Sequence, residues 1–455
     1  MARAGAARGE IQMTEGSLWK NILLFSIPLV FSQLLQVMFN MADVAVVGKF
    51  ASDTALGSVG STSTLVTLFT GFLIGMGNGV NVRVAQHLGA QHREETSRAV
   101  HTAFLLCLLA GVGIMVLCLA LAANMLEMLH TKDDLLPGAV LYFRIYALGM
   151  PALGIFNFGN AVLSANGDTK RPLLYLTIAG ILNVILNLFF VIVCKMAADG
   201  VALASVISQY VSAILVVWHM MRLNDACKFY FQRLRFHGDE VGRILGLGVP
   251  AGIQHMIFAI ANLFIQAAVN SFDSTMVSGN AAAANTDTII YNIMMAFYTA
   301  CSTFMGQNWG AGHKKRMMDS YLISLFYAFA VAAVLGVAFY FAGRPFLYVF
   351  TNSADVVEAG MQRMKIMCFS YAISAFMDNT IAACRGLGRT IVPTVVVIMG
   401  SCVFRVIWVY TIFAHYHTIP SLYLLYAFSW TITAAAEIVY FLHCFRKLRL
   451  VPETA

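Results

Sequence analysis

The chain has 455 residues, 59% of them hydrophobic and only 11% charged, with a net charge of +7 and a mean hydropathy of +0.75. Soluble domains carry roughly 25% charged residues, so here the charges run out before a water-facing surface is covered. This composition argues against a soluble enzyme, a disordered scaffold and a secreted disulfide domain, and for a chain whose solvent is lipid.

Residues 1–21 are polar and basic, with Arg3, Arg8 and Lys20. The apolar run that follows far exceeds the about 7–15 residues of a signal h-region, so no cleavable signal peptide is expected. Apolar runs of about 20 residues then predict twelve transmembrane helices. They cover 22–47, 54–80, 98–122, 138–162, 172–194, 200–221, 243–270, 277–304, 317–342, 356–384, 391–414 and 420–444. Helices are favoured over a barrel because the runs lack period-two alternation. With the N-terminus inside, 21 Lys and Arg fall in the inner segments and 5 in the outer ones. That bias puts both termini in the cytoplasm. The nine cysteines are scattered without a C-x-x-C and read as small core residues rather than zinc ligands or disulfides.

A repeat divides the chain. Gln86, Gly89, Ala90 and His92, after the second span, recur as Gln307, Gly310, Ala311 and His313 after the eighth, a shift of 221 residues. The same shift carries Gly167, Thr169 and Pro172 onto Gly388, Thr390 and Pro393, and Gln33 onto Gln254; Pro28 and Pro250 pair with a slip of one. The fold class expected is therefore an all-α integral membrane protein of two pseudo-symmetric six-helix bundles, 22–221 and 243–445. A basic cytoplasmic linker, 222–242, joins them, and 446–455 form a cytoplasmic tail. Parallel repeats of this kind mark secondary transporters, whose substrate site is expected between the halves.

Acidic residues inside spans are costly, about 2.5–3.5 kcal/mol at mid-bilayer, and so are functional candidates. Four qualify: Asp43, Asp287, Asp378 and Glu437. Gln33, Gln36, Asn40 and Asp43 share one helical face. Asn183 and Asn187, at i and i+4, could complete a cation or proton site with Asp43, the alternative being interhelical hydrogen bonding. Asn280, Asp287, Tyr291 and Tyr298 share a side of the eighth span and suit an organic cation; the alternative is a pair between Asp287 and His255 or another polar group of span seven. Asp378 falls where the repeat places Asn157, which suggests one half for coupling and one for substrate. Glu437 lies nearer the cytoplasmic end, where partial solvation is expected. His255, Asn262 and Gln266 read as core and packing residues.

The run Phe39-Asn40-Met41-Ala42-Asp43-Val44 with Val47-Gly48 resembles the first helix of the multidrug and toxic compound extrusion (MATE) transporters. Gly279-Asn280 with Ala281 to Ala284, Asn285 and Asp287 resembles the eighth helix of a bacterial branch, as does Phe304 to Gly312. The resemblance covers about 20–445. It implies two six-helix bundles that export cationic or amphipathic compounds against an H+ or Na+ gradient by alternating access. It implies an ion-coupling set of Asp43, Asn183, Asn187 and Ser205, with Na+ a candidate at the first three. From the polar stripes substrate contacts are expected at Gln36, Asn40, Asn280, Asp287 and Tyr291, and at Asp378, which matches the tenth-helix acidic position of some members. Some members carry an acid where this chain has Asn187, and the seventh-helix acid of others is absent, with Asp287 its candidate substitute. The expected setting is a monomer in a bacterial inner membrane, acting on small organic cations. No cofactor beyond the coupling ion, no resident metal and no nucleic-acid partner are expected. The alternative within the superfamily is a lipid-linked oligosaccharide flippase. An enzyme is disfavoured because no H-x-x-x-H or G-x-S-x-G motif lies at a membrane face.

Overall fold

The computed structural model describes residues 11–448, the Asp53 side chain excepted. Every regular element among them is helical. The order is α1 (Leu18–Phe50), α2 (Asp53–Gly89), α3 (Arg93–Met128), α4 (Leu136–Ala147), α5 (Met150–Ala165), α6 (Lys170–Leu188) and α7 (Ala198–Met221). Then come α8 (Gly238–Val269), α9 (Ser274–Gly310), α10 (Lys314–Leu347), α11 (Ala354–Gly386), α12 (Ile391–Val397), α13 (Phe404–Trp408), α14 (Ala414–Tyr416) and α15 (Ile419–Arg446). Eleven stretches are long and apolar enough to cross a membrane, and the bent pair α4–α5 makes a twelfth.

Three spans depart from the uniform helices expected, the fifth only in its last turn, which is π-helical over Phe189–Val193. The fourth, expected as one helix over 138–162, breaks into α4 and α5 with a 44° bend. Pro151 supplies no N–H in the first turn of α5, which removes a rung of the ladder at the break. The eleventh is α-helical only in pieces. The π-helical stretch Ile398–Val403 precedes α13 and a second, Val409–Phe413, follows it.

Two compact units result. One takes Phe31–Met256; the other takes Gln12–Val30 and the chain from Ile257 on. Helices α1 and α8 thus contribute to both, changing unit a few residues after the repeat-related prolines Pro28 and Pro250. The expected bundles began instead at residues 22 and 243.

The repeat is visible as backbone geometry. Gln91 (φ 58°) and Gly312 (φ 79°) occupy equivalent left-handed positions after α2 and α9, as do Gly167 (φ 91°) and Gly388 (φ 78°) after α5 and α11. The closing hydrogen bonds repeat too: His92 N–H to His87 O at 3.1 Å matches His313 N–H to Asn308 O at 3.0 Å. In the first unit, α2 and α8 cross through two Gly-x-x-x-Gly motifs. A Cβ on Gly75 would stand 2.3 Å from Gly252 N, and one on Gly79 2.5 Å from Gly248 N, so the backbones touch as small-residue crossings allow.

Candidate ion and substrate sites

In the first unit, α6 shows how the sequence builds a site. Leu174, Ile178, Ile181 and Ile185 are exposed along one stripe, while Tyr175, Ala179, Asn183 and Asn187 are buried along another. Both follow helical spacing, one toward lipid and one inward. Gly180 lies beside the inward stripe. A Cβ there would stand 1.8 Å from the Phe39 ring, so the missing side chain admits α1. One turn beyond Phe39, Asp43 meets the amides.

Asp43, Asn183, Asn187 and Ser205 close into one cluster. Asn187 Nδ2 donates to Asp43 Oδ1 at 2.5 Å and to Asn183 Oδ1 at 3.2 Å. Ser205 Oγ donates to Asp43 Oδ2 at 3.3 Å, and Asn183 Nδ2 donates to Ser205 Oγ at 3.3 Å. Three helices, α1, α6 and α7, therefore converge on one carboxylate. Val46, Val47, Tyr142, Val191 and Val201 pack as an apolar cluster of the same unit. Asn187 Oδ1 is buried without a hydrogen-bond partner. An orphaned oxygen beside a carboxylate leaves an acceptor for a cation or an acid proton. Gln36 is half-buried and Asn40 exposed, and neither joins this cluster.

The second unit is organised differently. Asp287 is ion-paired with Arg363 of α11, whose Nε donates at 3.1 Å. The same guanidinium donates to Asn280 Oδ1 at 2.7 Å and Tyr423 Oη at 3.2 Å. The sequence reading had Asp287 as a carboxylate open to an organic cation or paired with span seven. The structure instead gives it a protein cation, because α9 and α11 run side by side and bring residues 76 positions apart together. Asp378 is half-buried and makes no side-chain hydrogen bond among the described residues; the charges acting on it are Arg385 and Arg405. Tyr291 is partly exposed and feels Asp378 rather than Asp287. Glu437, expected to be partly solvated, is fully buried with neither oxygen hydrogen-bonded.

Sequence reasoning missed two arginines. Arg385 directly follows the tenth span expected over 356–384, which makes it a loop cation, but it lies inside α11, buried and donating to the Tyr298 hydroxyl. Arg405 falls within the eleventh span, expected over 391–414, and it too is buried. The signal was there: a cation in an apolar run is as anomalous as a carboxylate. In the first unit, Glu240 accepts from Arg83 Nε and Nη2 at 2.8 and 2.7 Å and lies 3.0 Å from His87 Nε2, tying α8 to α2. Among the described residues no group of three His, Cys, Asp or Glu is placed to hold a metal ion.

Comparison with known proteins places this geometry. The MatE family model matches the chain twice, over residues 28–189 and 250–411, the two halves of the repeat. The chain is 28% identical over 358 residues to a probable multidrug resistance protein, YpnP, of Bacillus subtilis, covering 79% of this chain and 80% of that one. It is 23% identical over 346 residues to an FAD transporter of Shewanella oneidensis, covering 74% and 75%. An outward-facing multidrug resistance MATE family transporter of the MOP superfamily shares the fold with a TM-score of 0.89 at 20% identity, covering 97% of this chain and 99% of that one. These matches do not favour the flippase alternative. With twelve spans, an internal repeat and a family match to both halves, the chain belongs to the MATE family of multi-pass membrane transporters.

Proposed function

We propose that the protein is a secondary antiporter that exports amphipathic organic compounds, cationic ones among them, in exchange for H+ or Na+. The observation that carries this reading is the Asp43 cluster: a carboxylate in a membrane helix, met by two amides and a hydroxyl, beside an unpartnered buried oxygen. A proton on Asp43 turns one carboxylate oxygen from acceptor to donor. Na+ instead takes the oxygens of Asp43, Asn183, Asn187 and Ser205 as ligands. Either event changes what holds α1 against α6 and α7. Since α1 gives residues to both units, its repacking is the step that couples ion occupancy to access. Each charge moved is worth roughly 2.3 kcal/mol per 100 mV, enough to drive uphill export.

Arg363 already meets the charge of Asp287, so a cationic substrate group falls to Asp378, with Tyr291 beside it. The names of the relatives span multidrug resistance and FAD transport, so amphipathic character, rather than one charge, describes the substrate. The setting proposed is an inner membrane, with a monomer and both termini cytoplasmic. The test is gradient-driven efflux in proteoliposomes with sodium and pH varied independently. Asp43→Asn should reduce exchange to background while the protein stays folded; persistent exchange would make Asp43 structural. Asn187→Ala should slow exchange about tenfold, the worth of one hydrogen bond to a charged group.

A further inference from the structure

The repeat shift, applied to the Asp43 cluster, gives a different chemistry in the second half. It carries Ser205 onto Tyr426, Asn187 onto Trp408, Asp43 onto Phe264 and Asn183 onto Phe404, next to Arg405. Where the first unit holds an acid among amides, the second holds a cation among rings. Arg405 is 2% exposed. Its guanidinium carbon lies 4.4 Å from the Tyr426 ring centre, 5.5 Å from Trp430 and 5.7 Å from Phe258. Nε donates to Ser429 Oγ at 3.3 Å, but Nη2 is buried with no partner. Among the described residues no carboxylate is ion-paired with it; Asp378 acts on it only at longer range.

A buried charge without a partner costs several kcal/mol, and in a membrane helix it marks function by default. The backbone adds an independent sign. Arg405 stands on one turn of α-helix between two π-helical stretches, Ile398–Val403 and Val409–Phe413. The equivalent span of the first unit has one, Phe189–Val193. Such wide turns concentrate at functional sites.

We infer that Arg405, with Tyr426, Trp430 and Phe258, forms a binding site for the acidic group, carboxylate or phosphate, of an aromatic compound. One edge of the guanidinium is held by Ser429; the free Nη2 donates to one acid oxygen, a charge-assisted bond. The rings stack on the compound's flat skeleton. The inference rests on the export reading only for the fate of the compound, not for its binding.

The experiment measures binding without any gradient, so failure of antiport leaves it readable. Full-length protein in phosphatidylcholine nanodiscs is titrated with two probes, a xanthene dye bearing a free benzoate carboxylate and the methyl ester of that dye. Fluorescence anisotropy reads both. The wild type should prefer the acid about tenfold, Arg405→Gln should lose the preference, and Arg405→Lys should keep part of it. Equal affinities in the wild type, or an undiminished preference in both variants, would overturn the site. If Arg405→Gln does not fold, Arg405→Lys decides alone: a reduced preference supports the site and an unchanged one overturns it. A preference abolished by about one mole percent phosphatidic acid, whose phosphate monoester phosphatidylcholine lacks and which barely changes the surface potential, assigns the site to lipid phosphate and overturns it as a substrate site.

Discussion

The two units share their turns and their 221-residue register, yet the charges at their candidate sites differ in sign and in company. The first gathers neutral polar groups around Asp43, and its other inward acid, Glu240, is paired with Arg83 and His87. The second, among its described residues, buries Arg385 and Arg405 and half-buries Arg363, of which Arg363 is ion-paired with Asp287 and Arg385 donates to Tyr298. A repeated scaffold therefore constrains the backbone more than the chemistry it carries: helix ends and turns recur because they solve the same hydrogen-bonding problem. The side chains facing inward are free to differ, because a helix accepts either sign of charge provided something nearby answers it. On the proposed reading, ion coupling and substrate recognition need opposite environments, and the two halves offer one each.

The largest expected effect tests the committed pair. Arg363→Gln leaves Asp287, whose side chain keeps 13% of its exposure, against an amide and should cost about 3 kcal/mol of stability, the low end for a buried pair. Adding Asp287→Asn should recover more than half of that, since the penalty belongs to the stranded charge. Denaturant unfolding of the purified protein measures both. If the double variant is no more stable than the single, the pair is not what the second unit is built around, and the contrast between the units weakens.

The next effect lies in the first unit. Gly180→Val would drive a side chain into the Phe39 ring, and overpacking of this kind costs about 1–3 kcal/mol. The sharper consequence is functional. Displacing α1 from α6 carries Asp43 away from Asn187, so gradient-driven exchange should fall further than stability does. A variant that loses stability but keeps wild-type exchange per folded molecule would show that the cluster does not need its present geometry.

Much of this was legible in the sequence, and the parts that were not share a cause. The spans, the repeat and the family follow from local apolar runs and a fixed offset, which survive in one dimension. The meeting of Asp43 with Asn183 and Asn187 was legible because a polar stripe on a lipid-embedded helix must face another polar surface. The pairing of Asp287 with Arg363 was not, because it depends on which helices lie side by side. The bend at Leu148 and Gly149 lies within a continuous apolar run, where hydropathy gives no break and only Gly149 and Pro151 mark it. The π-helical turns around Arg405 likewise leave hydropathy unchanged. Arg385 was misplaced because span ends read from hydropathy are uncertain by a few residues, and here two residues, from 384 to Gly386, separate a loop cation from a buried one.

The smallest effect is also the cleanest test of shared backbone and separate chemistry. Gln91 and Gly312 stand at equivalent left-handed positions, yet only the second is glycine. Glycine adopts such a φ without steric cost, whereas a side chain costs about 1 kcal/mol or more. A Cβ on Gly312 would meet nothing within 4 Å, so a substitution there reports backbone strain alone. Gly312→Gln should therefore destabilise the protein by about 1 kcal/mol. Gln91→Gly should stabilise it by somewhat less, because the freer unfolded chain offsets part of the relief. Opposite signs in the two unfolding curves would show that both turns are held in the same conformation by the hydrogen bonds that close them, His92 to His87 and His313 to Asn308. Equal signs would mean that one turn relaxes when its residue changes, and that the repeat holds in sequence register without equal rigidity of the chain.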